Sequence, residues 1–267
     1  HSPVASAQVK SAILLAGLYA EGKTYVIEPS VSRNHTEIML KAFGADVSCH
    51  DTTASVHYTD ELFASNIEVP GDISSAAYFI VAALMIPNSD IILHNVGINP
   101  TRDGLLRAIE MMGGKIEILS IKNEDTEAIA DLRIKSQNLH GATFGGDIIP
   151  AMIDEIPALA ALACFAEGET IIKDAEELKV KESNRIKVMV EELSKMGAQI
   201  EETEDGMIIH GKHSLHSAQI DSHKDHRIAM TFSILSRAIG QDLPIIDKDC
   251  VKISYPNFYK HLHSLSS

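Results

Sequence analysis

The chain has 267 residues, 45% of them hydrophobic, enough to bury one large core or two smaller ones. Its formal net charge of -14 excludes a broad nucleic-acid or anionic-membrane surface, so cationic partners for any anionic ligand must be concentrated locally. Cys49, Cys164 and Cys250 lie far apart with no C-x-x-C pair, which argues against a disulfide framework or zinc ribbon and fits a reducing cytosol.

The chain opens with His1-Ser2-Pro3 rather than Met and enters an apolar pattern at once, which reads as a cut within a longer protein. No uncharged apolar run of about eighteen residues occurs, and the start shows neither a basic leader nor a signal core, so neither a membrane span nor secretion is expected. Residues 6–19 predict a small-residue-rich apolar helix leading to a β-branched strand at 24–27. Residues 35–43 predict an amphipathic helix stopped by Gly44. The pair recurs: 74–85 leads to 91–93, then 103–112 stops at Gly113; 157–166 leads to 170–172, then 184–196 stops at Gly197; a further copy starts at His226 and leads to 244–246. A period of roughly 70 to 85 residues points to internal duplication.

In the 184–196 helix Ile186, Met189, Val190, Leu193 and Met196 follow helical spacing, with Lys187, Glu191 and Lys195 on the other side. Each unit reads strand, buried helix, strand, exposed helix, strand, strand, and none can bury its apolar face alone. The expected fold is therefore α/β (α+β), built from repeated βαβαββ units around shared buried helices. Val69-Pro70-Gly71-Asp72 interrupts the pattern and predicts a division between a partial domain, 1–68, holding one repeat, and a nearly complete one, 69–267.

Several residues stand out chemically. Ser6, Ala7 and Gln8 begin an apolar helix, where free amides and a hydroxyl suit a phosphate, although plain N-capping by Ser6 explains them slightly better. Lys181 and Arg185 are four apart and share a side if helical; Glu182 then projects over Met189 and Leu193, into the interior or a cleft, where burial would raise its pKa and cations would lower it. Arg227 opens an apolar helix next to Lys224 and His226, against the helix dipole, a conflict that a bound anion would remove. Asp154 precedes Ile156-Pro157, a helix start, and reads equally as a loop or capping carboxylate and as a functional one. His210, His213 and His216 invite a metal, but no carboxylate or cysteine completes a ligand pattern, so no metal site is expected.

Motifs in consistent order along the chain resemble the 5-enolpyruvylshikimate-3-phosphate synthase family: Ser6-Ala7-Gln8-Val9-Lys10-Ser11-Ala12, Ser32-Arg33-Asn34-His35-Thr36-Glu37, Pro70-Gly71-Asp72-Ile73-Ser74-Ser75-Ala76, Asn99-Pro100-Thr101-Arg102, Met152-Ile153-Asp154-Glu155, Lys181-Glu182-Ser183-Asn184-Arg185 and Asp225-His226-Arg227-Ile228-Ala229-Met230. The resemblance implies two similar domains on a hinge that closes over the substrates, and cytoplasmic transfer of the enolpyruvyl group of phosphoenolpyruvate to the 5-hydroxyl of shikimate 3-phosphate. The reaction would pass through a tetrahedral intermediate and release phosphate, with no metal or organic cofactor. It assigns Ser6, Ala7, Gln8, Ser32 and Arg33 to shikimate 3-phosphate and Arg185 and Arg227 to phosphoenolpyruvate, with Lys181 close to both. Asp154 is implied to hold, and is a candidate to deprotonate, the attacking hydroxyl; Glu182 is the candidate proton donor to the methylene carbon. Many relatives have Asn in place of Glu177 and Lys in place of Ile253, where the nearest base here is Lys252; these departures resemble a subgroup of bacterial synthases. Two alternatives stand beside this reading: an enzyme like UDP-N-acetylglucosamine enolpyruvyl transferase, and an inert structural fragment. The implied partner is the missing N-terminal part of the enzyme, without which the fragment is expected to be inactive.

Overall fold

The computed structural model describes residues 1–123 and 126–265, and in it the alternating pattern becomes one unit laid down repeatedly. The first unit is α1 (Ala7–Gly17), β1 (Lys23–Ile27), α2 (His35–Ala42), β2 (Val47–His50) and β3 (Thr53–His57). The second is α3 (Ile73–Met85), β4 (Asp90–Gly97), α4 (Gly104–Met111), β5 (Glu117–Lys122) and β6 (Ile129–Lys135). After β7 (Thr143–Phe144) and α5 (Ile148–Met152) comes the third: α6 (Ile156–Ala163), β8 (Glu169–Ile172), α7 (Arg185–Lys195), β9 (Gln199–Glu202) and β10 (Met207–His210). The chain ends with β11 (Ile220–Asp221), α8 (His226–Ile239), β12 (Ile245–Ile246) and α9 (Phe258–Ser264).

The strand order repeats with the sequence pattern: β1-β3-β2, β4-β6-β5 and β8-β10-β9, each time with the strand after the buried helix paired antiparallel to the last strand. Parallel pairs join β7 to β8 and β11 to β12, and the helices α6 and α8 supply the crossovers that parallel strands require. The predicted stops after α2, α4 and α7 are glycines with left-handed φ, Gly44, Gly113 and Gly197.

Helices α3, α6 and α8 pack on one another, and their apolar sequences explain why: all eight residues of α6 are buried, as are Ile80, Phe232 and Leu159 completely. Burial of each such side chain contributes roughly 1.5–3 kcal/mol. Phe258 of α9 seals this core against the rings of Tyr78 and Phe79. A smaller core, Leu14, Leu18, Val26, Leu40, Ala45, Val47, Ala54 and Val56, lies between α1, α2 and their sheet. Within α1 the buried residues are Lys10, Leu14 and Gly17, while Val9, Ile13 and Leu15 are 43%, 38% and 48% exposed. Gly104 lets α4 touch the start of the α5–α6 turn, because a Cβ there would lie 2.7 Å from the Met152 Cβ. That close approach fixes the turn that carries Asp154 and Glu155.

Candidate functional site

Three arginines from distant parts of the chain meet one carboxylate. Asp154, in the turn between α5 and α6, accepts from Arg33 at 2.8 Å, lies 3.4 Å from Arg185 Nη1 and 3.5 Å from Arg227 Nη2. It caps nothing; its charge is directed at the guanidiniums. Burial pushes the Asp154 carboxyl up, but Arg227, Arg33 and Arg185 outweigh that and hold it at about 2.

Arg185 begins α7 and is 1% exposed. Its Nε donates to Asp225 at 2.9 Å and its Nη2 reaches Glu182 at 2.5 Å. Asp225 is itself buried, caps α8 through the Arg227 amide at 2.9 Å, and accepts from the Ser183 hydroxyl. Burial pushes its carboxyl up, and the bonds from Arg185 reverse this and hold it low. Arg227 sits against the dipole of α8 as expected, and protein carboxylates resolve the conflict: Asp225 caps the helix and Asp154 faces the guanidinium. Its Nη1 also donates to the Asp154 carbonyl at 3.3 Å. Beneath it lies Tyr78, buried, its phenol pushed up by burial.

Glu155 is buried behind Asp154 and accepts from the Ser74 hydroxyl, which in turn accepts from Arg102 at 2.6 Å. Burial raises its pKa, partly offset by Ser74. A cleft of about 310 Å³ beside this group is lined by His35, Asn99, Arg102 and Glu127 together with the 67–73 segment. A cleft of about 640 Å³ lies at the opposite end of α8, among Arg237, Gln241, Tyr259 and His263, and contains none of the predicted site residues.

The expectation for Lys181 and Glu182 requires correction. Helix α7 begins only at Arg185, because the Asn184 side chain accepts from the Lys187 amide at 3.1 Å and caps it there. Lys181 and Glu182 precede the helix, so no projection over Met189 and Leu193 applies, and the Glu182 side chain is 49% exposed. Glu182 still belongs to the cluster through Arg185, whereas Lys181 pairs with Glu177. Lys252 pairs with Asp249 at 2.8 Å and Ile253 is exposed. Among the described residues no group of three His, Cys, Asp or Glu is placed to hold a metal ion.

Ser6 caps α1 as the sequence predicts, its hydroxyl accepting from the Val9 amide at 3.4 Å, with Ala7 and Gln8 in the first turn. Ser32 lies near it through Glu28, which binds the Ser6 amide and the Ser32 hydroxyl, both at 2.9 Å. Arg33 then carries this region to Asp154, and Asn34 accepts from Asn99 at 2.9 Å. Sequence reasoning gave no role to Glu28, Glu155, Ser74 or Asp225. The motifs that contain the last three were visible, and a Lys at position 10, in line with Leu14 on the buried side of an apolar helix, signalled an interior charge that needed carboxylates.

Residues 1–262 match the family model described as EPSP synthase (3-phosphoshikimate 1-carboxyvinyltransferase). The chain is 52% identical over 264 residues to the 3-phosphoshikimate 1-carboxyvinyltransferase of Bacillus cytotoxicus, covering 99% of the chain and 62% of that protein, and 52% identical over 266 residues to that of Bacillus subtilis, with the same shares. It thus spans about three fifths of the length of these relatives. Among solved structures, an EPSP synthase from Acinetobacter baumannii superposes with a TM-score of 0.92 at 44% identity, covering 98% of this chain and 61% of that one. The enolpyruvyl transferase NikO from Streptomyces tendae shares the fold, with a TM-score of 0.74 at 18% identity over 94% of this chain and 57% of that one. No helix among the described residues is long and apolar enough to cross a membrane.

Proposed function

Because the chain belongs to the EPSP synthase (3-phosphoshikimate 1-carboxyvinyltransferase) family, we propose that it acts as part of a cytoplasmic enzyme that moves the enolpyruvyl group of phosphoenolpyruvate to the 5-hydroxyl of shikimate 3-phosphate. The observation that carries this reading is the convergence of Arg33, Arg185 and Arg227 on Asp154. Phosphoenolpyruvate carries a carboxylate and a phosphate, and guanidiniums match both with paired donors. The amides of Ala7 and Gln8 at the head of α1, with Ser6 and Ser32, receive the 3-phosphate.

With its carboxyl held near 2, Asp154 is a weak base as it stands. Phosphoenolpyruvate draws Arg185 and Arg227 toward its own charges, which frees Asp154 to hold the 5-hydroxyl and take its proton. The hydroxyl oxygen bonds to C2 of phosphoenolpyruvate while Glu182 protonates C3, giving the tetrahedral intermediate. The Glu182 carboxylate then takes a proton back from C3 as phosphate departs, which leaves the enolpyruvyl ether. Glu182 is suited to proton exchange at the mouth of the site because it is half-exposed and bound to Arg185. The exposed Lys181–Glu177 pair borders the same turn and offers a further cation once Glu177 releases it.

The division at 68/69 is proposed on the same footing, supported by the two separate hydrophobic cores. The 267 residues alone are expected to show no turnover, because closure around two substrates needs groups on both sides of a cleft. Calorimetric titration of the complete enzyme with shikimate 3-phosphate, with and without phosphoenolpyruvate, tests the function: cooperative binding of the two is expected, and binding of a UDP-sugar in place of shikimate 3-phosphate would overturn it. Glu182→Gln is expected to lower kcat by about 10²–10⁴ with little change in affinity. A folded variant with near-normal kcat would remove Glu182 from the mechanism.

A further inference from the structure

Behind Ser6 and Ser32 lies a buried ionic network. Lys10, 4% exposed, donates to the Ser32 carbonyl at 3.2 Å and forms ion pairs with Glu28 Oε2 at 3.2 Å and Glu37 Oε1 at 2.8 Å. Glu28, 4% exposed and just past the end of β1, accepts from the Ser6 amide on Oε1 and from the Ser32 hydroxyl on Oε2, the oxygen that also pairs with the Lys10 ammonium. Every partner of the Glu28 carboxylate is therefore a donor or a cation. A carboxylate satisfies such a set, whereas an amide in either orientation sets an NH2 against donors. Glu37 Oε2 is buried with no hydrogen-bond partner, so the network leaves one acceptor uncompensated. A buried ion triad with an open acceptor is expensive to maintain for stability alone. Its geometry does something else: one side chain ties the entry of α1 to a loop that follows β1.

We propose that Glu28, held by Lys10, is the positioning residue of the phosphate subsite: it fixes Ser6 and Ser32 at the separation at which the head of α1 and the Ser32 hydroxyl act on one phosphate. The inference rests on the assignment of that subsite to shikimate 3-phosphate made above. Glu28 accepts the single Ser32 hydroxyl proton; a phosphate at this subsite would take that proton in its turn while the Ser32 oxygen stays in place, because Lys10 retains the Ser32 carbonyl. Glu28 touches no reacting atom and acts through the two serines.

The test measures shikimate 3-phosphate affinity and both KM values in the complete enzyme for Glu28→Gln, Glu28→Asp, Ser32→Ala and the double variant Glu28→Gln/Ser32→Ala. Glu28→Gln leaves Lys10 paired with Glu37, so folding is expected and a melting curve verifies it. Both Glu28 variants are expected to weaken shikimate 3-phosphate binding about ten- to hundredfold while the KM for phosphoenolpyruvate stays within about twofold. Their effect is expected to shrink markedly in the Ser32→Ala background, because the two residues act as one unit. Binding by Glu28→Gln that is unchanged or tighter, a Glu28→Asp variant that binds like the parent, or strictly additive losses would each overturn the positioning role. Failure of the unmutated enzyme to bind shikimate 3-phosphate would instead overturn the subsite assignment, and the inference with it.

Discussion

Helices α1 and α6 hold the same place in their units, yet one is finished and the other is not. Around α6 two further helices of the same kind, α3 and α8, close a core in which all eight of its residues are buried. Helix α1 covers its own sheet with Leu14 and Gly17 and leaves Val9, Ile13 and Leu15 at the surface. The difference shows that the unit's own strands bury only one side of an apolar helix; the rest of its burial comes from neighbouring copies. The chemistry divides in the same way. The region around α6 and α8 places its arginines on helix ends set in a dense core, whereas the region around α1 holds its serines with a buried ion triad beside a small one.

The largest way to disturb this comparison is Arg185→Ala, which leaves Asp225 buried without its cation. We expect a loss of about 3–5 kcal/mol of stability by denaturant titration, together with loss of phosphoenolpyruvate binding. Next come two fully buried leucines, one from each region. Leu159→Ala in α6 is expected to cost about 3–5 kcal/mol, and Leu14→Ala in α1 about 2–3, because the half-covered helix can settle into the space left behind. Equal costs would show that α1 is as firmly packed as α6.

The pH dependence of Asp154 gives a smaller effect with a definite sign. Its carboxyl is held at about 2 in the folded protein, below its unfolded value of about 3.9, so ionised Asp154 stabilises the fold at pH values above about 4. That contribution, on the order of 2 kcal/mol, fades as pH falls toward 2. The stability difference between the parent and Asp154→Asn is therefore expected to be constant from about pH 5 to 7 and to shrink between about pH 4 and 2. A difference that grew on acidification would contradict the arginine clamp. The smallest effect is expected for Ile13→Glu, on the open face of α1, which should change the stability of the 267-residue chain by no more than about 0.5 kcal/mol. A loss of several kcal/mol would mean that this face is packed.

Much of the architecture was legible because it is local. The small-residue helices, the glycine stops and the repeat period each follow from short-range pattern, and the strand order then repeats with them. The misreading at Lys181 and Glu182 was also local: helical spacing was carried one turn too far, past a Ser183-Asn184 pair whose Asn caps the helix. Asp154, Arg185 and Arg227 stood out by resemblance, but their meeting did not, since Arg33 and Asp154 are 121 residues apart. The Lys10–Glu28–Glu37 triad was hidden for the same reason. Lys10 alone carried a local signal of burial, but Glu28 and Glu37 each read as surface residues, and only the fold brings the three together.

Asp154, at the meeting point of the three arginines, is the residue on which the proposed enolpyruvyl transfer turns. Steady-state kinetics of Asp154→Asn in the complete enzyme, with a melting curve on the same sample, test this role. Asn keeps the size and much of the hydrogen bonding but cannot take a proton, so kcat is expected to fall by about 10²–10⁴ while the KM for phosphoenolpyruvate stays within a few-fold. A folded Asp154→Asn enzyme that turns over at near the parent rate would contradict the account.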